Sequence, residues 1–336
     1  MTITVAVVGA GRMGRLHAKQ LNDIPDVRIV GAADVRAEAV EEFTAEFGGT
    51  GSVDYRELLD RTSPDVAYFC TPAGEHLDQL TFAAERGINV FVEKPLAPSV
   101  TAATAAAEII ERHGVLCTVG YQWRYSPLTD VARDALAGLP PTMLAGWWYW
   151  TIPPLPWIRD RRTGGGQIFE QATHLIDLMR FLAGDVSTVF AAYADNAIPE
   201  EELPNWDASA VTLGFANGAA GSVHSTYALF PGIPGSNGVD VAAREVLVRV
   251  NLAKATVFRR GVPPEETAAR AGWNIDQEFM TIVRRNDPPA VRATARESAQ
   301  SIGVSLAANY SAVTKQVVDL RDFMTNPPDD ATIMPL

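Results

Sequence analysis

Residues 9–14 read Gly9-Ala10-Gly11-Arg12-Met13-Gly14, and no other stretch of the chain constrains its fold as tightly. The turn follows an apolar, β-branched run at 3–8 and opens a stretch in which Met13, Leu16 and Leu21 recur at helical spacing. Strand, glycine turn and helix in that order need glycine for three reasons. One allows the tight turn, one lets backbone approach a pyrophosphate, and one permits close helix–strand packing. The helix N-terminus then presents unpaired N–H groups and a positive dipole end to phosphates. Alone, a glycine-rich turn also simply turns a chain, so its surroundings carry the weight.

Those surroundings alternate. The patterning predicts strands at 3–8, 28–33, 65–70, 89–92 and 115–119, with helices at 12–21, 37–47, 75–86 and 100–112 between them. Such alternation reads as βαβ units building a parallel sheet. After Gly120 the texture changes to aromatics (Tyr121, Trp123, Tyr125, Trp147, Trp148, Tyr149, Trp150, Trp157) broken by Pro153, Pro154 and Pro156. A helix at 166–182 follows, then apolar or alternating runs at 188–193, 208–215, 219–227 and 239–257 and two closing helices at 275–285 and 296–320. The expectation is an α/β Rossmann domain, 1–120, with a doubly wound parallel sheet that binds a dinucleotide. An α+β domain, 121–336, with a large, mostly antiparallel open sheet, is expected to serve substrate binding and oligomerisation. A C-terminal helix is left free to pack back on the first domain.

A formal net charge of −12 leaves no basic excess to neutralise phosphates, which argues against nucleic acid. The two cysteines, Cys70 and Cys117, sit in apolar runs, so neither a disulfide framework nor structural zinc is expected. No His, Cys, Asp or Glu cluster has metal-ligand spacing, and no metal is predicted. No apolar segment approaches the roughly 20 residues of a membrane span. The first residues lack the basic head of a signal peptide. A cytoplasmic enzyme fits this profile.

Asp34 ends the second predicted strand about 20 residues after the last glycine, where a carboxylate hydrogen-bonds the ribose hydroxyls of a dinucleotide. Its charge repels a 2′-phosphate and favours NAD; Arg36 leaves NADP open. Glu93-Lys94-Pro95 follows the strand 89–92, so Lys94 stands at a strand's carboxyl end, where its ammonium could stabilise alkoxide character. From position alone, a solvated surface lysine is as good a reading. Glu170 and His174, four apart, share one face of the predicted helix, and a carboxylate beside an imidazole raises its basicity and orients it. Asp177 is an alternative partner, and an ordinary surface pair is the bland reading. His17, His113 and His224 have no acidic partner at a telling spacing, while His76 stands at another strand-to-helix edge.

Taken in order, these residues resemble the Gfo/Idh/MocA oxidoreductases, which include glucose–fructose oxidoreductase and inositol dehydrogenases. The resemblance rests on the glycine turn, Thr71-Pro72 with His76, Glu93-Lys94-Pro95, the run from Gly120 through Gln122 and Trp123 to Pro127, the segment 164–177, and Ala307-Ala308-Asn309-Tyr310-Ser311-Ala312. It implies hydride transfer between nicotinamide and a hydroxyl-bearing carbon of a sugar or cyclitol, with Lys94 and His174 catalytic and Glu170 orienting the histidine. Many relatives carry aspartate where this chain has Glu170, which bears on the shape of the accommodated ring. The implied cofactor contacts are Gly9, Gly11, Arg12, Met13, Gly14, Asp34, Arg36, Thr71, Pro72, His76, Glu93, Lys94, Gln122 and Trp157. The substrate contacts are Lys94, Gln122, Trp123, Trp157, Arg159, His174 and Tyr227. A homo-oligomer, dimer or tetramer, is expected. Two other readings stay open: an NAD-dependent glycosidase that oxidises its sugar transiently, and a non-catalytic sugar or redox sensor.

Overall fold

Six parallel strands form the sheet of the first unit in the computed structural model, which describes residues 2–199 and 204–334. Its elements are β1 (Ile3–Val8), α1 (Arg12–Asn22), β2 (Val27–Ala33), α2 (Ala37–Phe47), β3 (Thr50–Ser52), α3 (Tyr55–Thr62), β4 (Val66–Phe69), α4 (His76–Glu85), β5 (Asn89–Val92), α5 (Val100–His113) and β6 (Cys117–Val119). Strand order is β3-β2-β1-β4-β5-β6, so the winding reverses between β1 and β4. In such sheets ligands bind outside the carboxyl ends of the strands at that reversal. The central strands are covered on both faces, which is why β4 and β5 read as continuous apolar runs rather than alternating ones.

Local signals set the helix ends. Ser99 accepts a hydrogen bond from the Ala102 N–H to start α5, and Gly114 ends it in the left-handed conformation. Between α2 and β4 the structure adds β3 and α3, which the sequence pattern leaves blank. Thr50-Gly51-Ser52 is too short and polar to show a period.

Backbone packing divides the chain into two compact units. The first takes the chain to Gly120 together with Gly272–Ala299, and the second takes Tyr121–Ala271 with the chain from Gln300. The segment after 120 is therefore interrupted: the helix Ile275–Arg285 belongs with the parallel sheet, where the Phe279 ring lies 6.1 Å from that of Phe91.

In the second unit, α6 (Pro127–Ala135) precedes β7 (Met143–Tyr149), and four helices follow: α7 (Pro156–Arg159), α8 (Arg161–Gly164), α9 (Gly166–Glu170) and α10 (Thr173–Ala183). Strands β8 (Val186–Ala194), β9 (Ala208–Phe215), β10 (Ala220–Thr226), β11 (Ser236–Ala243), β12 (Val246–Val250), β13 (Lys254–Arg259), β14 (Glu265–Ala268) and β15 (Val318–Asp319) complete a nine-stranded sheet. Its order is β14-β13-β12-β11-β7-β10-β9-β8-β15, antiparallel except for β7 beside β10. The apolar run 239–257 is three strands rather than one, turned at Arg244-Glu245 and again where Asn251 Oδ1 accepts the N–H groups of Ala253 and Lys254. The closing helix Ala295–Thr314 stops short of 320 because Lys315 takes a left-handed φ of 60° and the chain then pairs as β15. One sheet face is buried, through residues such as Val189, Val211, Val223 and Val239. Met143, Tyr149 and Phe190 lie on the other and are exposed. Among the described residues no helix is long and apolar enough to cross a membrane.

Candidate active site

Strand register gathers the first set of residues. Val8 pairs with Ala33 and with Phe69, Phe69 with Val92, and Val92 with Val119, so these strands end level. The row extends one residue further: the N–H groups of Gly9, Cys70, Glu93 and Gly120 donate to Ala33, Val8, Phe69 and Val92 at 2.7–2.9 Å. Positions scattered between 9 and 120 thus share one edge.

The packing of the glycine turn fits a bound dinucleotide. Gly9 has φ +95°, and a Cβ there would lie 2.5 Å from the Cys70 oxygen; one on Gly14 would lie 1.9 Å from the Gly9 oxygen. Those two glycines are demanded by packing. A Cβ on Gly11 would meet no atom within 4 Å, so this glycine leaves open space where backbone can approach a ligand. Gly11 is also the N-cap of α1 and offers no side-chain cap to the first-turn N–H groups. Arg12 is exposed and Met13 half-buried in that turn.

Asp34 ends β2 beside the same turn. Its Oδ2 accepts the Ala10 N–H at 3.0 Å, and its Oδ1 accepts the Arg36 N–H at 3.0 Å and Arg36 Nε at 3.2 Å. Thr71 and Pro72 follow β4, with Thr71 Oγ1 donating to Gln79 Oε1 at 2.7 Å. His76 is 1% exposed, with Nδ1 3.1 Å from the carbonyls of Pro95 and Leu96 and Nε2 3.0 Å from that of Thr71. Burial lowers its pKa, against the backbone carbonyls that raise it. Its nitrogens face backbone on either side of the edge, which makes it a brace for the Lys94-Pro95-Leu96 segment. Lys94 is half-buried, and its peptide bond to Pro95 is cis.

In the second unit His174 is 7% exposed on α10, its ring 5.7 Å from that of Tyr121 at a near-perpendicular 85° and 6.1 Å from that of Trp148 at 26°. Trp148 follows Leu144 and Gly146 on the inward face of β7, which explains its place under the helix. Trp123 is 1% exposed and packs 6.0 Å from Trp148, so it backs the site rather than facing solvent. Gln122, half-buried, opens the short 3-10 turn Gln122–Tyr125. Tyr227 is 1% exposed, and its hydroxyl lies 3.4 Å from Glu170 Oε2. Burial first, then Glu170, holds the phenol well above its usual pKa, so it stays a neutral donor. Trp157, 47% exposed, and Arg159 lie on α7.

Three sequence expectations change here. The helix 166–182 is two helices: Gln167 O accepts both Gln171 N at 2.9 Å and Ala172 N at 2.8 Å, a widened turn that separates α9 from α10. Glu170 is the last residue of α9 and His174 stands in the first turn of α10. The start of α9 depends on Gly165, at φ +70°, whose carbonyl accepts from Asn309 Nδ2 at 2.9 Å.

Asp177 does not serve His174. It binds Arg124 through Nε at 2.7 Å and Nη2 at 2.8 Å and accepts Ser301 Oγ at 2.7 Å, all in the core. Finally, His17 does have acidic partners, Asp276 and Glu93, far away in sequence. Sequence reasoning also left Tyr121 and Trp148 without a specific role. Alternation along 143–149 would have aligned Trp148 with Leu144 and Gly146. Among the described residues no three His, Cys, Asp or Glu side chains could hold a metal ion.

A doubly wound sheet with an open glycine turn and a carboxylate beside it at the reversal defines a dinucleotide-binding protein of the Rossmann type. Residues 3–121 match GFO_IDH_MocA, the oxidoreductase family with an NAD-binding Rossmann fold, and residues 141–239 match the GFO/IDH/MocA C-terminal domain. The chain belongs to this family of NAD-binding oxidoreductases. It is 29% identical over 224 residues to the oxidoreductase YrbE of Bacillus subtilis strain 168, spanning 65% of each chain. With the scyllo-inositol 2-dehydrogenase (NAD(+)) of the same organism it shares 29% over 327 residues, 92% of this chain and 94% of the relative. In fold it resembles a levoglucosan dehydrogenase solved with NADH and levoglucosan, at a TM-score of 0.82 and 20% identity over 95% of this chain and 100% of that one.

Proposed function

We propose that this oxidoreductase oxidises, reversibly, a secondary alcohol of a sugar or cyclitol with NAD. The observation that carries the substrate class is the His174 ring beside the half-buried Trp148 ring, with Tyr121 buried behind it. An acid/base group set among flat rings suits a molecule with polar edges and apolar C–H faces. The relatives' names, a scyllo-inositol and a levoglucosan dehydrogenase, support the same class.

NAD, when bound, supplies the acceptor for a hydride. The remaining work falls to side chains: His174 takes the hydroxyl proton, and the Lys94 ammonium hydrogen-bonds the same oxygen as negative charge grows on it. Glu170, with the Tyr227 hydroxyl on its carboxylate, supports the polar side of the histidine site. Gln122, Trp157 and Arg159 complete the substrate contacts. The Asp34–Arg36 ion pair favours NAD over NADP, because the guanidinium already has a carboxylate to neutralise. Two unpaired cysteines and the NAD linkage support a cytoplasmic setting.

A screen of sugars, cyclitols and their keto forms, followed by absorbance of the reduced nicotinamide, tests the reading. Lys94→Ala is expected to lower kcat at least about 100-fold while NAD affinity stays within about twofold. Unchanged turnover would remove Lys94 from the chemistry. The exposed sheet face bearing Met143, Tyr149 and Phe190 further supports self-association into a dimer or tetramer. Light scattering that returns a monomer mass at micromolar concentration would refute it.

A further inference from the structure

His17 lies on α1, 3% exposed, with each ring nitrogen aimed at a different carboxylate. Nδ1 is 2.8 and 3.0 Å from the two oxygens of Asp276, itself 0% exposed, and Nε2 is 2.9 Å from Glu93 Oε1. A neutral imidazole donates only once, so meeting two carboxylates requires the imidazolium. With both nitrogens donating, the ring has no lone pair to take a proton from a substrate, and it is not a general base. Tyr68 and Phe91, ring centroids 5.5 and 4.7 Å from His17, wall it in.

Glu93 links this buried cation to the lysine. While Oε1 faces His17, Oε2 accepts the backbone N–H of Lys94 at 3.1 Å. Gly120 leaves the carboxylate its room, for a Cβ at that position would lie 3.2 Å from both Glu93 oxygens. The chain of contacts runs from Asp276 through His17 and Glu93 to the peptide that carries Lys94. Its origin on α1 is the helix that the glycine turn opens.

We propose that His17 is a positioning residue for Lys94: clamped by Asp276, its imidazolium fixes the Glu93 carboxylate, which holds the Lys94 backbone so that the ammonium is presented from one setting. The proposal rests on the reading of Lys94 as the group that binds the reacting oxygen. Displacement of such a group by about 1 Å can cost on the order of 100-fold in rate.

A double-mutant cycle tests it. His17→Gln leaves a neutral amide between two carboxylates and is expected to lower kcat about 10- to 100-fold, with the KM for NAD within about twofold. In a Lys94→Ala background the same change is expected to cost less than about twofold, because the residue it acts through is gone. Equal losses in both backgrounds overturn the proposal, since a general structural role would act in each.

A second readout needs no substrate. The chain has four lysines, Lys19, Lys94, Lys254 and Lys315, so reductive ¹³C-methylation gives a spectrum in which the Lys94 signal is assigned by its loss in Lys94→Ala. In His17→Gln that signal is expected to shift or broaden while the other three hold. An unmoved Lys94 signal overturns the proposal. If His17→Gln does not fold, Asp276→Asn weakens the clamp while its amide oxygen still accepts from Nδ1, and the same two readouts decide. Should the wild-type protein oxidise no alcohol, the functional reading falls and the lysine spectrum alone judges His17.

Discussion

Asp177→Ala removes one side of a deeply buried ion pair in the second unit. Asp177 and Arg124 are each 1% exposed and joined by two hydrogen bonds, and Ser301 donates a third to the same carboxylate. Truncation leaves the guanidinium in the core without that countercharge, which costs roughly 3–5 kcal/mol. The lost acceptor for Ser301 adds about 1 kcal/mol. At roughly 2–4 °C per kcal/mol for a unit of this size, Tm falls on the order of 10 °C. Trp123, Trp147, Trp148, Trp150, Trp157 and Trp206 belong to the second unit and only Trp273 to the first, so tryptophan fluorescence follows this transition. Replacing both partners, Arg124→Met with Asp177→Leu, should recover most of the loss, because no unmatched charge remains. A loss under about 1 kcal/mol in Asp177→Ala, with turnover abolished, would refute the structural assignment and return Asp177 to His174.

The glycine turn gives a paired prediction. Gly11→Ala should fold with an unchanged Tm yet bind NAD at least about tenfold more weakly, measured by fluorescence titration, because its methyl enters the space left for the ligand. Gly14→Ala should lower both Tm and affinity, since its Cβ would collide with the Gly9 carbonyl; equal behaviour of the two variants would contradict the packing argument. For pH, burial lowers the His17 pKa but Asp276 and Glu93 outweigh it and raise it to about 10 from 6.5. Its folded value exceeds the unfolded one, so its stabilisation is complete below pH 6.5 and disappears as pH rises toward about 10. Tyr68, the other titratable wall of the ring, stays neutral because burial and Asp276 push its pKa well up. Urea unfolding of the wild type should weaken over that window, with a much flatter profile in His17→Gln.

Much of the first unit was legible in the sequence because its signals are local. A glycine turn after an apolar run, an acidic residue at the next strand end and strand spacings of a few tens of residues can be read along the line. The same linear reading failed in the second unit for physical reasons. In 143–149 the aromatic cluster hid a strand whose Leu144, Gly146 and Trp148 face inward. The one helix expected over 166–182 breaks between Glu170 and Thr173, where the Gln167 carbonyl closes a turn one residue wider than an α-helical one. Neither defect leaves a mark in composition.

What the sequence determined by itself is the sheet order's family of solutions, the cofactor turn and the candidate reactive residues Lys94 and His174. Tertiary structure alone decided which charges meet: Asp276 reaches His17 across 259 positions and Glu93 reaches it across 76, while Asp177 turns to Arg124 rather than to the histidine beside it in sequence. Burial forces that choice. A charge in a dry core must find its opposite wherever register and helix packing bring one, and sequence spacing carries no information about that partner.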